Sequence, residues 1–244
     1  MIRSGNPALT KKTFQTLAKQ NESVMTLDGA VNKTAISMGI LLLAAYYTYV
    51  NAIFDYMLIG FIGGFILAIV TIFKKEWSPI TVPLYALLEG LALGGLSKIY
   101  ENAFEPGIVP QAIMLTLGIL VALLIAYKSR MIKATENFKL GVFAATAGIG
   151  IVYLISFLMS IFGSGGLPVM NPSNSSMLSI GFSLFVVVIA SLNLVMDFDF
   201  IEEGAASGAP KYMEWYGAFG LMVTLIWLYL EILRLLAKLS SRRN

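Results

Sequence analysis

The sequence predicts an all-α membrane protein, built as a bundle of seven transmembrane helices. Hydrophobic residues make up 57% of the 244 residues and charged residues 13%, whereas roughly 25% of residues are charged in soluble domains. The mean hydropathy is +0.78. Apolar runs close to the ~20 residues that cross a bilayer core fill most of the chain. An ordinary soluble domain is therefore excluded.

Seven apolar runs are separated by short stretches rich in Pro, Gly and charged residues. The runs cover residues 34–54, 56–73, 80–99, 110–127, 138–163, 177–196 and 216–237. We therefore expect a polar cytoplasmic segment at 1–33, a seven-helix transmembrane domain at 34–238 and a basic tail at 239–244. Within the first segment, Pro7 to Lys19 is expected to form a short interfacial helix.

The fifth run carries several small residues that share a helix face. They are Gly141, Ala144, Ala145, Ala147, Gly148 and Gly150. Because small residues allow helix backbones to approach closely in lipid, we expect the fifth helix to be a central packing element.

Basic residues near the ends of the runs predict the orientation, because cytoplasmic loops of membrane proteins are enriched in Lys and Arg. The N-terminal segment, the link at Lys74 and Lys75, and the link from Lys128 to Lys139 are basic, whereas the alternate links are not. The N-terminus and an acidic loop at 197–211 are therefore expected in the cytoplasm. Seven complete spans then place the basic tail outside, against this rule, so six spans with a re-entrant C-terminal helix are the alternative.

The residue types also limit the chemistry. The chain contains no Cys and no His, which excludes thiol nucleophiles, imidazole bases and the usual zinc and haem ligands. We therefore expect neither an enzyme nor a bound cofactor. The formal charge of +3 suits an anionic membrane surface. The basic residues lie at span ends, so no nucleic-acid partner is expected.

Four acidic residues follow the sixth run directly: Asp197, Asp199, Glu202 and Glu203. Acids near hydrocarbon must be solvated, paired or protonated, which makes this segment the leading candidate for an ion or proton site, with a solvated loop as the alternative. If the helix continues through it, Asn193 and Asp197 share a face, while Asp199 is rotated by about 200°. The spacing does not match an EF-hand loop, so we expect no dedicated metal site and at most weak Ca²⁺ binding.

Two further acids lie within apolar runs. Glu89 is about ten residues from either end of the third run, which places it near the bilayer midplane. An ionised acid there costs at least ~2.5–3.5 kcal/mol, so Glu89 either lines an ion pathway or bonds to a neighbouring helix. Glu231 precedes Arg234 by three residues, a spacing that favours a structural ion pair on one helix face.

Two stretches carry a family resemblance: NPAL at 6–9 with MTLDGAVNKT at 25–34, and LNLVMDFDFIE at 192–202 with APKYMEWY at 209–216. Together with the pattern of runs, they resemble a bacterial branch of the Bax inhibitor family, within the transmembrane Bax inhibitor motif superfamily. The resemblance implies a seven-helix fold with a central last helix. It also implies a pH-sensitive Ca²⁺ leak, gated by aspartates on the sixth and seventh helices, with an Arg at the end of the second.

The match to that gate is partial. Asp197 matches the first aspartate, but Thr224 stands where the resemblance implies the second, and the second run ends in two lysines instead of an Arg. A two-aspartate switch is therefore not carried over. The candidates for the missing carboxylate are Glu89, Glu214 and Glu231.

The leading functional prediction is a passive Ca²⁺ leak channel in the bacterial cytoplasmic membrane, opened by protonation of carboxylates. The candidate pathway and gate residues are Asp197, Asn193, Glu89, Asp199, Glu231 and Glu214. The candidate counter-charges of the gate are Lys74, Lys75 and Arg234. The alternative is a regulatory protein without channel activity that binds a membrane-bound ATP-dependent protease, or another membrane partner, through its polar N-terminal segment.

The orientation is testable with topology reporters. A reporter fused after Lys133 is expected in the cytoplasm and one inserted near Ser173 outside, because the basic ends alternate. Finding both reporters on one side would contradict the seven-span topology.

Overall fold

The protein is an all-α bundle of seven helices, in agreement with the predicted fold class. The computed structural model describes residues 23–163 and 165–243. The helices are α1 (Leu27–Val50), α2 (Asp55–Phe73), α3 (Ser78–Ala103), α4 (Ile108–Lys128), α5 (Glu136–Ile161), α6 (Met177–Ala206) and α7 (Met213–Arg243). All seven are long and apolar enough to cross a membrane. The interfacial helix expected at Pro7 to Lys19 lies outside the described residues.

Polar side chains fix where several helices begin. Thr26 is the N-cap of α1 and accepts a hydrogen bond from Gly29 N at 3.0 Å, as Thr135 does from Phe138 N at the start of α5. The Glu101 carboxylate accepts from two backbone amides at the start of α4. Such groups satisfy amides that have no partner within the helix.

Two helix boundaries differ from the sequence prediction. Helix α1 begins at Leu27, within the segment expected to be a polar tail. Helix α6 continues to Ala206, so most of the expected acidic loop at 197–211 is helical. The apolar run ends at Met196, but the helical backbone hydrogen bonding continues past it. Glu has good helix propensity, and the segment contains no proline before Pro210. The acids are therefore held on a helix rather than in a loop.

Helix α7 is unbroken over 31 residues, a length of about 46 Å at 1.5 Å per residue. That length exceeds the ~30 Å hydrocarbon core. Helix α7 is therefore long enough to cross the membrane completely, as the seven-span prediction requires.

The described chain forms two compact units, and α3, α6 and α7 each contribute to both. The first, which we call the N-terminal unit, contains residues 23–99 and 197–223. The second, the C-terminal unit, contains residues 100–196 and 224–243. In the most apolar 18 residues of each helix, 50–56% of the residues are buried in α3, α6 and α7, whereas 17–22% are buried in the other four helices. The three helices that contribute to both units thus provide most of the interior.

Glycines on α2 and α3 allow the helices of the N-terminal unit to pack closely. A Cβ added at Gly60 of α2 would lie 2.8 Å from Ala92 Cβ, and one added at Gly90 of α3 would lie 2.8 Å from Ala44 Cβ of α1. The Thr48 hydroxyl also reaches Leu91 O across the α1–α3 contact at 3.1 Å. Close backbone approach of this kind is how small residues stabilise helix pairs in lipid.

The expectation that α5 is the central packing helix is wrong. A Cβ added at Gly141, Gly148 or Gly150 would meet no atom within 4 Å, and Ala144 and Ala147 are exposed. The small-residue face of α5 therefore points away from its own unit. Sequence periodicity shows which residues share a helix face. In lipid, however, a face can consist of small apolar residues whether or not another helix packs against it.

The glycine contacts predict a difference between two Gly→Ala substitutions. Gly90→Ala should lower the free energy of unfolding by about 1–3 kcal/mol, because the α1–α3 contact must separate. Gly148→Ala should be neutral or stabilising by up to about 1 kcal/mol, because Ala favours helix and has open space there. Thermal unfolding in detergent measures both, and equal effects would contradict the assigned packing.

Candidate functional site

Asp197 and Asn193 lie one turn apart on α6, and both are buried. Their exposed fractions are 1% and 2%, while Asp199 is partly exposed. The Asn193 amide donates to Thr146 Oγ1 and to Ile189 O, both at 2.9 Å. This agrees with the helix-face argument, in which Asp197 shares the Asn193 face and Asp199 does not. Thr146 is a contact that the sequence did not indicate.

Glu89 is buried at the α2–α3 contact of the N-terminal unit, with 9% of its surface exposed. Its side chain fills the space left by Gly64 of α2, where an added Cβ would lie 2.6 Å from Glu89 Oε1. One turn earlier on α3, the buried Tyr85 ring meets the edge of Phe219, with 5.1 Å between ring centroids. Glu89 thus lies in a well-packed interior, close to the α2 backbone.

Glu214 is buried in the first turn of α7 and connects it to the start of α1. Its Oε1 accepts hydrogen bonds from Thr26 N at 3.0 Å, Thr26 Oγ1 at 2.9 Å and Lys211 Nζ at 2.7 Å. Glu214 is 1% exposed, while the Lys211 side chain is 49% exposed. The carboxylate lies directly against Gly29, so a side chain at that position would collide with it. The Glu214 carboxylate therefore joins the start of α7 to the start of α1.

The backbone strengthens the same connection. Val24 forms an antiparallel bridge with Pro210, and Met25 N donates to Ala209 O at 2.7 Å. The stretches 25–34 and 209–216, which carried the family resemblance, are thus in contact in the folded protein.

Glu231 and Arg234 form the ion pair that their spacing predicts, and Tyr153 of α5 joins them. Arg234 Nη1 lies 2.6 Å from Glu231 Oε1. The Tyr153 hydroxyl donates a short hydrogen bond to the same oxygen and accepts one from Arg234 at 3.4 Å. Within the described part of the chain, Glu231 Oε2 has no hydrogen-bond partner. The pair therefore connects α7 to α5 and leaves one carboxylate oxygen available.

Lys74 and Lys75 occupy the short link between α2 and α3. Lys74 is the C-cap of α2, and its backbone N–H donates to Val70 O at 2.8 Å. Lys75 Nζ lies 5.8 Å from the centre of the Tyr216 ring on α7. Across residues 23–163 and 165–243, no three acidic side chains converge as metal ligands would.

A family model described as Bax inhibitor 1 like matches residues 6–241. The chain belongs to the Bax inhibitor 1 like family. A search of curated proteins found no match. Membership of the family accounts for the seven-helix fold and for the resemblance of the two stretches that meet at Glu214. Thr224, at the position where the resemblance implied a second aspartate, is buried on α7 with 3% of its surface exposed.

Several residues at these sites were missed by the sequence analysis. They are Thr26, Thr146, Tyr153 and Lys211. Lys211 was detectable, because it precedes Glu214 by three residues. Tyr153 and Thr26 lie 78 and 188 residues from their acidic partners, and no local pattern connects groups at such separations.

Proposed function

We propose that this protein is a passive cation channel for Ca²⁺ whose opening depends on protonation of Asp197. The observation that carries the proposal is the burial of the Asp197 carboxylate, 1% exposed, on a helix that is long and apolar enough to span the membrane. Burying an ionised carboxylate is costly unless the charge is compensated. Its charge state therefore has a large effect on the packing of α6.

In the closed state of this proposal, ionised Asp197 pairs with the basic link at Lys74 and Lys75, which belongs to the same compact unit. Protonation removes the negative charge and with it the attraction to the lysines, so acidification releases α6. Such a switch needs a local change of charge at one element that has two arrangements.

In this proposal Glu231 contributes a carboxylate oxygen to the pathway, while Glu89 braces the helix packing beside it. Glu89 faces the α2 backbone at Gly64, where a carboxylate bound to a neighbouring helix also stabilises the packing. Glu231 has one oxygen in the Arg234 and Tyr153 network and one without a hydrogen-bond partner in the described residues. A single carboxylate oxygen binds a cation weakly, and weak binding is what conduction requires.

The gate is tested with a matched pair of substitutions on α6. Asp197→Asn should leak Ca²⁺ at neutral pH, about tenfold or more above wild type if one charged hydrogen bond is lost, and should lose most of its response to pH. Asp199→Asn should change little, because Asp199 lies on the partly exposed face. The measurement is Ca²⁺ flux in proteoliposomes between pH 6 and 8. Equal effects of the two substitutions, or none, would refute the gate.

A second candidate function is regulation of a membrane partner, such as an ATP-dependent protease, through the N-terminal segment. The contact of residues 24–26 with the start of α7 supports it, because these residues lie directly after the N-terminal segment in the sequence. A partner that binds this segment therefore acts on α7 through Thr26 and Glu214.

This candidate, a regulator without channel activity, predicts that a membrane partner co-purifies with the tagged full-length protein but not with the protein that lacks residues 2–22. Proteoliposomes of either protein should show no Ca²⁺ flux above that of empty vesicles. Truncating the opposite end, by deleting residues 240–244, is the matched control and should retain the partner. Retention of the partner after the N-terminal deletion would exclude this function.

A further inference from the structure

Lys238 is a fully buried lysine near the C-terminal end of α7, five residues before Arg243. It belongs to the C-terminal unit, with the 3₁₀ turn at Pro168–Met170 and the start of α6. Lysine is almost never fully buried unless its charge is compensated. No function considered above uses this side chain.

Three oxygen atoms surround the Lys238 ammonium. Its Nζ donates to Val169 O at 2.5 Å, Ser183 Oγ at 2.8 Å and Ser179 O at 3.1 Å. An ammonium has three donor hydrogens, so each hydrogen has one acceptor. The oxygens come from two separate segments, the turn before α6 and the first turns of α6, and they converge on one point.

All three oxygens are neutral. Within the described part of the chain, no carboxylate is hydrogen-bonded to Lys238, and the Glu231 carboxylate about two turns earlier is already paired with Arg234. The positive charge is therefore compensated by two carbonyl dipoles and one hydroxyl. Carbonyl and hydroxyl oxygens arranged in this way replace the hydration shell of a cation in ion-selective sites.

We propose that Val169 O, Ser179 O and Ser183 Oγ form a monovalent-cation site that Lys238 occupies with its own ammonium. A divalent ion is disfavoured there, because Ca²⁺ sites are built with carboxylate ligands and this site has none among the described residues. The side chain acts as a tethered cation that keeps small cations out of this end of the C-terminal unit. The proposal goes beyond Ca²⁺ conduction and stands whether or not Asp197 is a gate.

The test removes the tethered ammonium and supplies a free one. Purified Lys238→Ala protein in detergent is unfolded by heat in KCl, ethylammonium chloride or N-methyl-D-glucamine chloride at equal ionic strength. Potassium or ethylammonium should raise the unfolding midpoint of the variant by about 3 to 6 °C above N-methyl-D-glucamine, with saturation, as expected for a ligand at roughly ten times its Kd. Wild type should show the same midpoint in all three salts.

Two controls separate a cation site from a general effect of charge. Lys128→Ala removes a lysine that is exposed at the end of α4, and its midpoint should not depend on the cation. Adding Ser183→Ala to Lys238→Ala removes one of the three oxygens and should abolish the cation dependence.

If Lys238→Ala does not fold, Lys238→Met is used instead, because it keeps the unbranched stem. Its unfolding midpoint is measured in the same three salts. Equal midpoints in all salts for a folded Lys238 variant would overturn the proposal and leave Lys238 as a structural clamp. A cation dependence that survives the added Ser183→Ala would overturn it as well.

Discussion

The structure depends on one constraint: a charged group buried in an apolar bundle must have partners that compensate its charge. An ionised side chain without compensation is too costly to keep in lipid-facing helices. Each of the three buried charges described in detail on α7 meets this requirement. Glu214 accepts from Thr26 and Lys211, Glu231 pairs with Arg234, and Lys238 donates to three oxygens.

The hydrogen bonds and ion pairs of these three residues also position α7. At its first turn Glu214 attaches it to the start of α1, further along Glu231 attaches it to α5, and near its end Lys238 attaches it to α6. Each attachment is specific, because a shift of one residue would rotate the charge away from its partner by about 100°. Helix–helix contacts in lipid have little hydrophobic driving force, so these polar contacts define the register that apolar packing leaves open.

Close packing provides the second contribution, and it is concentrated on α3. Glycines at positions 60 and 90 let α2 and α1 approach α3, and Glu89 fills the space beside Gly64. A carboxylate in such a tight contact changes both its charge and its fit when it is protonated. Glu89 thus contributes to the packing of α2 against α3.

The candidate gate shows how much of a functional site local sequence reveals. Asn193 and Asp197 were placed on one face by their spacing alone, and the structure buries both while leaving Asp199 partly exposed. The Glu231 and Arg234 pair was likewise evident from a spacing of three residues. Tyr153, which completes that pair, and Thr26, which completes Glu214, were not evident, because their partners are 78 and 188 residues distant.

By itself, the sequence determined the class of protein and the number of helices, because the bilayer requires about 20 apolar residues in succession and that property is local. Only the tertiary structure decided which face of each helix is buried. Gly141, Gly148 and Gly150 of α5 point outward and the glycines of α3 point inward, although both sets look alike in sequence. In water an apolar face indicates the core, but in lipid both faces are apolar, so hydrophobicity no longer distinguishes inside from outside. The environment of Lys238 was decided in the same way, by oxygens brought together from distant segments.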